Sequence, residues 1–330
     1  MSVELKNCRK ILIIRLSSLG DILLTTPLLR TIKNQYPELN IDFLIRTEFK
    51  DTLKNNSNIN HLIELEREYS NSQYRKLIIQ NDYDLIIDLQ NNLRSRRLTF
   101  NISPTIFRYK KPYLKRFLLV KMKINLFNKI VSIPEKYAEA IPGFQLDDSG
   151  LELFIDESTR RTLPEKGDYI GLCPGAKHKT KIWPKEYFIE LGKMITEKGY
   201  KVALFGGKDD KEICSEIASE INGSVDLSNE NKLLELALAM KACRLIICND
   251  SGLMHASLGV GVPIVAIFGS TVKEFGFFPY KGRNSVLENN SLSCRPCSHI
   301  GRKECPKAHL NCLMEIKPTD VLEESLKIIS

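Results

Sequence analysis

The segment 244–268, RLIICNDSGLMHASLGVGVPIVAIF, constrains this chain most, because within 25 residues it reads as strand, tight turn, helix start, turn and strand. Leu245, Ile246, Ile247 and Cys248 form a continuous apolar run, as does 263–268, and such runs suit parallel strands buried on both faces. Between them, Asp250 and Ser251 are good helix N-caps and Gly252 lets a ligand approach the backbone. The amides of the following turn point outward with the positive end of the helix dipole, which makes an anion site suited to phosphate. His255 lies four residues after Ser251, so one helical turn places both side chains over the same ligand. The bland alternative is a capped helix whose histidine is merely satisfied.

At 330 residues the chain exceeds what one hydrophobic core usually holds, and 43% hydrophobic with 27% charged residues is ordinary for a cytosolic protein. Two domains are expected, 1–155 and 156–330, with polar Asp147, Asp148, Ser149 and Gly150 and the stretch 159–168 flanking the boundary. The start, MSVELKNCRK, lacks the basic and apolar regions of a secretory signal, and no apolar run approaches membrane-spanning length, so a cytoplasmic protein is expected. Cys8, Cys173, Cys214, Cys243 and Cys248 fall in strand-like or helix-like segments and read as reduced, structural residues.

Both halves alternate strand and helix. The first opens with a strand at 11–15, the loop 16–21 and an amphipathic helix to about Gln35, followed by strands at 41–45, 61–65 and 84–89. The second has a strand at 169–173, a helix at 185–198, a strand at 201–205, helices at 209–221 and 232–241, and then the segment 244–268. Doubly wound α/β domains bind ligands beyond the carboxyl ends of their strands. Neither GxGxxG nor a P-loop is present, which argues against an ordinary nicotinamide enzyme or nucleoside triphosphatase. Instead PGAKHKTKIWP, with Lys177 and Lys181, and GGKDD, with Asp209, join 250–255 at strand ends of one domain, placed to surround a diphosphate and its nucleoside.

The net charge of +8 is uneven. Between Asp88 and Glu135 there is no acidic residue, while Arg94, Arg96, Arg97, Arg108, Lys110, Lys111, Lys115, Arg116, Lys121, Lys123 and Lys129 supply eleven positive charges. Phe107, Tyr109, Tyr113, Phe117, Leu118, Leu119 and Phe127 are interleaved, as in an amphipathic segment that touches an anionic surface; a solvated charged face is the competing reading.

Four segments in order, IIRLSSLGDILLTTPLLR, PGAKHKTKIWPKEYFIEL, LFGGKDDKE and ICNDSGLMHASLGVGVPIVAIFGST, resemble the heptosyltransferase family of bacterial lipopolysaccharide synthesis, glycosyltransferase family 9, across almost the whole chain. The resemblance implies a GT-B fold: two Rossmann-like doubly wound domains facing a cleft, the first binding acceptor and the second donor, with the helix near 319–329 crossing back to the first. It implies an inverting, metal-independent transfer that needs no cofactor, from a nucleotide-diphosphate sugar, usually ADP-heptose, to a lipid-anchored saccharide acceptor. The enzyme would then sit peripherally on the anionic cytoplasmic face of the inner membrane, with no nucleic acid as partner.

Asp21 matches the family's general base, although by itself it reads as a helix cap. Lys181 matches the lysine that neutralises the departing diphosphate. Ser251, Gly252 and His255 stand where the family has Asp-Thr-Gly and histidine, with Ser replacing Thr, and Asp250 orients the turn or a donor hydroxyl. Ser18, Gly20, Asp88, Gln90 and Arg94 are acceptor-side candidates, of which the last three also read as a polar strand end. Ala176, Lys177, Lys208, Asp209 and Asp210 depart from the family pattern and leave another nucleotide sugar open as donor. Cys294-x2-Cys297-x7-Cys305-x6-Cys312, with His299 and His309 between, has the look of a structural zinc knuckle, against reduced thiols or disulfides bracing a loop. A nucleic-acid-binding or zinc-scaffold protein is the alternative from another class; it explains neither the three loops nor Asp21.

Overall fold

The computed structural model describes residues 4–66, 70–163, 168–228 and 232–330. The chain divides into two compact units, Met1–Lys111 with Ile133–Ser149, and Pro112–Ser132 with Gly150–Ser330.

In chain order the elements up to residue 138 are β1 Lys10–Ile14, α1 Leu19–Leu23, α2 Thr26–Gln35, β2 Asn40–Arg46, β3 His61–Leu65, α3 Asn71–Gln80, β4 Leu85–Asp88, α4 Leu93–Leu98, β5 Thr105–Arg108, α5 Tyr113–Phe117 and α6 Ile133–Ala138. All but α5 belong to the first unit. Its sheet is parallel throughout, in the order β3-β2-β1-β4-β5. The apolar runs of β1 and β4 are buried almost end to end, as strands covered on both faces must be. Strand order reverses between β1 and β4, which pair Ile14 with Asp88, so the carboxyl ends of these two strands form the ligand-binding crevice of such a sheet. The helix expected to run unbroken to Gln35 is interrupted, because Pro27 has no N–H and its ring would collide with the Leu23 carbonyl. Thr26 Oγ1 donates to that carbonyl at 2.8 Å instead.

The second unit continues with β6 Tyr169–Cys173, α7 Lys185–Glu197, β7 Lys201–Leu204, α8 Lys211–Ser219, β8 Val225–Asp226, α9 Leu233–Lys241, β9 Leu245–Asn249, α10 Gly252–Gly259, β10 Ile264–Phe268, β11 Asn284–Glu288, α11 Asn311–Met314 and α12 Pro318–Ile329. Its six parallel strands run β11-β10-β9-β6-β7-β8, with the reversal between β6 and β9. α7 buries Phe188, Leu191, Gly192 and Ile195, the spacing of one helical face. The C-terminal α12 packs on α7 and the β9–β11 side of this unit. Trp183 is fully buried in the core and donates Nε1–H to the Ile316 carbonyl at 3.0 Å.

β5, β8 and β11 were not legible as strands: β5 and β11 are half-buried edge strands and β8 has two residues. The helix expected from 209 opens as a tight turn, Lys208–Asp210, before α8. Cys173, Cys214, Cys243 and Cys248 are buried free thiols and Cys8 is half-buried. Among the described residues no helix is long and apolar enough to cross a membrane.

Candidate active site

In the first unit, Asp21 sits at the third position of α1, three residues after its N-cap Ser18. Its Oδ2 accepts the Ser18 amide at 3.2 Å and the Ser18 hydroxyl at 2.8 Å. Its Oδ1 lies 2.7 Å from the Arg15 guanidinium. Arg15 directly follows β1 and is buried; it donates to the Leu89 carbonyl at 2.9 Å and lies over the Tyr137 ring. Burial disfavours the charged form of Asp21, but the Arg15 charge and the Ser18 bonds outweigh it and hold the carboxyl below the usual aspartate range. With its side chain 20% exposed, Asp21 is therefore an ionised carboxylate that can meet a ligand but is a weak base.

Gln90 holds backbone, and Asp88 holds backbone and side-chain donors within the fold. Gln90 Oε1 accepts the amides of Leu16, at 2.9 Å, and Ser17, at 3.3 Å, and so fixes the loop that carries Ser18. Asp88 is fully buried and staples the turn after β4 by accepting the Asn91 amide at 2.7 Å and the Ser95 hydroxyl at 2.9 Å. Burial pushes its pKa up in spite of those bonds. Gly20 is buried in α1, while Ser18 and Arg94 are exposed.

In the second unit, the loops after β6 and β9 flank the strand-order reversal. Asn249, fully buried at the end of β9, ties them together: its Nδ2 donates to the Pro174 carbonyl at 2.7 Å and its Oδ1 accepts the Trp183 amide at 3.2 Å. Lys181 Nζ consequently lies 2.7 Å from Asp250 Oδ2, which also accepts the Thr271 hydroxyl at 2.6 Å. Ser251 is the N-cap of α10 but makes no side-chain cap bond, and its hydroxyl is buried without a hydrogen-bond partner among the described residues. Gly252 opens the helix and His255 is buried one turn later. Lys181, Asp250, Ser251 and the free amides of α10 thus form one polar rim at the sheet's carboxyl edge, in which the Lys181 and Asp250 charges balance and the helix N-terminus adds partial positive charge. Lys177, on the β6 loop, and Asp209, on the loop after β7, are exposed. It is Asp210 that turns inward, accepting the Gly207 amide at 3.0 Å. A Cβ on Gly175 would come within 2.0 Å of Asp210 Oδ1, so a larger residue there would displace the Asp210 carboxylate.

Cys294, Cys297, Cys305 and Cys312 line one narrow cavity with His309, as their spacing suggested, and Cys294 Sγ lies 4.0 Å from His309 Nε2. Burial opposes ionisation of Cys305, but the amides of Leu310, Lys307, His309 and Ala308 lower its pKa; burial pushes Cys312 up to about 11. Among the described residues no group of three His, Cys, Asp or Glu side chains is arranged to hold a metal ion. Thr180 binds this region to the β6 loop, accepting the Arg302 amide at 2.8 Å.

Arg15, Asn249 and Thr271 escaped the sequence reading. Arg15 and Asn249 lie inside quoted motifs, and a charged or amide residue closing an apolar strand was the available signal. Thr271 closes the last quoted motif, but nothing in the sequence marks that its hydroxyl reaches back 21 residues to Asp250.

The model of glycosyltransferase family 9 (heptosyltransferase) matches residues 72–308 of this chain. Lipopolysaccharide heptosyltransferase 2 of Salmonella typhimurium is 26% identical, with 97% of this chain and 99% of that protein covered. A family 9 glycosyl transferase from Veillonella parvula superposes with a TM-score of 0.81 at 24% identity, covering 100% of this chain and 98% of its own. The Escherichia coli ADP-heptose LPS heptosyltransferase II gives 0.72 at 24% identity, covering 97% and 98%. The fold is the GT-B fold of those proteins, and the matched span takes in Lys177, Lys181, Asp209 and the 250–255 turn. The chain therefore belongs to glycosyltransferase family 9, the heptosyltransferase family.

Proposed function

We propose that this glycosyltransferase moves a heptose from ADP-heptose to a lipid-anchored lipopolysaccharide core saccharide at the cytoplasmic face of the inner membrane, inverting the anomeric centre. The relatives' names carry the donor and acceptor classes: the E. coli neighbour is an ADP-heptose LPS heptosyltransferase and the Salmonella relative a lipopolysaccharide heptosyltransferase. The observation that carries the donor assignment is the rim at α10, where Lys181, the helix amides and the buried Ser251 hydroxyl stand together. Such a rim suits a diphosphate.

In the transfer, an acceptor hydroxyl oxygen bonds to the anomeric carbon from the face opposite the diphosphate, and the bond from that carbon to the phosphate oxygen breaks. ADP departs with the bonding electrons. The hydroxyl proton passes to Asp21, whose ionised state suits it to the task at neutral pH. Because Arg15 and Ser18 stabilise the carboxylate, Asp21 takes the proton late, once the sugar has gained oxocarbenium character and the hydroxyl has become acidic. Lys181 and the α10 dipole stabilise the charge that grows on the departing diphosphate, the part a divalent ion plays in other transferases. Gln90 keeps the Asp21 loop in place, and Ser18 and Arg94 offer exposed polar groups to the acceptor.

The test is Asp21→Asn, assayed for ADP release from ADP-heptose with a core-saccharide acceptor and, separately, for ADP binding by calorimetry. Turnover should fall by about two orders of magnitude or more with ADP affinity unchanged. Near-normal turnover would leave Asp21 as a helix cap. A thermal-shift panel of ADP-, UDP- and GDP-sugars tests the donor, and only the ADP compounds should stabilise the protein.

A further inference from the structure

Of the twelve large apolar side chains exposed among the described residues, seven fall between Tyr113 and Ile130. This is the stretch that the chain spends with the second unit, Pro112–Ser132, before returning to the first. It begins with α5, continues as a π-helical turn, Leu118–Met122, and is stopped by Lys123 in the left-handed conformation. Leu119 points inward, whereas Tyr113, Leu114, Phe117 and Met122 are between 56% and 69% exposed.

Besides buried Leu119, polar contacts hold this excursion in place. Lys123 Nζ donates to the carbonyls of Cys294, at 2.9 Å, and Pro296, at 2.7 Å, and Asn125 Nδ2 donates to Glu274 at 3.0 Å. The backbone is thereby fixed while a cluster of Leu, Phe and Met faces outward, an arrangement that soluble surfaces avoid unless the patch has a partner. Lys115, Lys121 and Lys129 are exposed on the same stretch, and no carboxylate occurs in the sequence between Asp88 and Glu135.

We propose that this excursion docks the protein on an anionic lipid bilayer, with Leu114, Phe117 and Met122 entering the headgroup and acyl boundary and Lys115, Lys121 and Lys129 engaging lipid phosphates. Three chemistries compete for such a patch, and two fit poorly. A two-fold contact between copies of this chain would set the exposed lysines of the stretch against one another, cation facing cation. A nucleic acid would answer the lysines but leave the aliphatic side chains against phosphate and sugar. A bilayer surface supplies anionic headgroups and apolar depth together. The docking gives physical form to the membrane-face reading above, on which only its biological purpose rests; lipid binding stands or falls separately from donor chemistry.

The experiment is co-sedimentation of the full chain with vesicles of phosphatidylcholine containing about one third phosphatidylglycerol, an anionic surface of the kind such segments bind. The wild type should pellet with these vesicles at low salt, remain in solution with pure phosphatidylcholine, and be released as salt rises. Lys115→Ser/Lys121→Ser/Lys129→Ser should lower the partition coefficient by about fivefold for each lysine engaged. Leu114→Ser/Phe117→Ser should lower it by at least about tenfold while keeping the salt dependence. Both variants should bind ADP as the wild type does, which separates lost docking from misfolding and from failure of the donor reading. Equal binding to neutral vesicles, unchanged binding by both variants, a wild-type dimer that either variant dissolves, or tighter binding to duplex DNA at the same salt would each overturn the proposal.

Discussion

Replacing Arg15 by methionine tests whether the carboxylate proposed as base is held by its neighbour or merely lies beside it. The pair is 2.7 Å apart, with side chains 8% and 20% exposed, so neither charge is fully hydrated. Two unit charges whose centres are about 4 Å apart interact by about 4 kcal/mol at an effective dielectric constant of about 20. Breaking such a pair leaves Asp21 largely buried and uncompensated, at a cost of about 3–5 kcal/mol, or roughly 10 °C in the melting of the first unit. The pH dependence separates this from the loss of the Arg15 bond to the Leu89 carbonyl. In the wild type the folded-state pKa of Asp21 lies below its unfolded value, so its stabilisation is present above about pH 4 and is lost as the pH falls through the folded pKa. Without Arg15, burial dominates and raises the folded pKa, so Arg15→Met should lose stability as the pH rises above about 4. The gap between the two proteins should therefore narrow on acidification and reach its full size at neutral pH. The same change made in Asp21→Asn should cost far less and show none of this pH dependence. Thermal unfolding of the four proteins from neutral pH to about pH 4 measures the cycle. A gap that is flat with pH, or as large in the Asp21→Asn background, would show that Arg15 acts through Leu89 and Tyr137 and would remove the argument for a weak, late base.

Three further outcomes are expected. Lys181→Ala should weaken ADP and ADP-heptose alike by about 10- to 100-fold in calorimetry, the value of a hydrogen bond to a charged group, and an unchanged ADP affinity would move the diphosphate elsewhere. Gly175→Ala should destabilise the second unit by about 1–3 kcal/mol in thermal melts, since its Cβ would overlap the Asp210 carboxylate, and Asp210→Ala should recover part of the loss. Brief alkylation near neutral pH followed by peptide mapping should label Cys305 ahead of Cys297 and Cys312, because backbone amides lower the Cys305 pKa while burial raises the other two. Equal labelling of Cys312 would refute that ordering.

What could be read from the residues alone was whatever the backbone itself dictates. Runs such as KILII, LIID and LIICN announce strands buried on both faces, and Pro27 announces the helix start that separates α2 from α1. The helix start at Ser251 and Gly252 was legible for the same reason, since it is a local property of the backbone, although the Ser251 hydroxyl makes no cap bond. The choice between neighbouring polar residues was not legible. Asp209 and Asp210 are equivalent in sequence, yet only Asp210 turns onto the Gly207 amide; Asp88 and Asp21 each close a strand or open a helix, yet only Asp21 remains open to a ligand. These outcomes depend on which side chain finds a donor across the sheet.

The basic stretch shows the same limit at larger scale. Its missing acids were evident, but which charges are free to act was not, because Lys111 donates to the Gln90 carbonyl at 2.6 Å and Lys123 to carbonyls of the cysteine-rich loop. A tally of eleven cations therefore overstates the charge that such a surface presents, while the sequence understates its apolar content, since period alone cannot tell an outward leucine from a buried one. The burial pattern alters the emphasis on both counts. Fewer lysines are available than the composition suggests, and more hydrocarbon is exposed, which favours a lipid interface over a purely electrostatic partner.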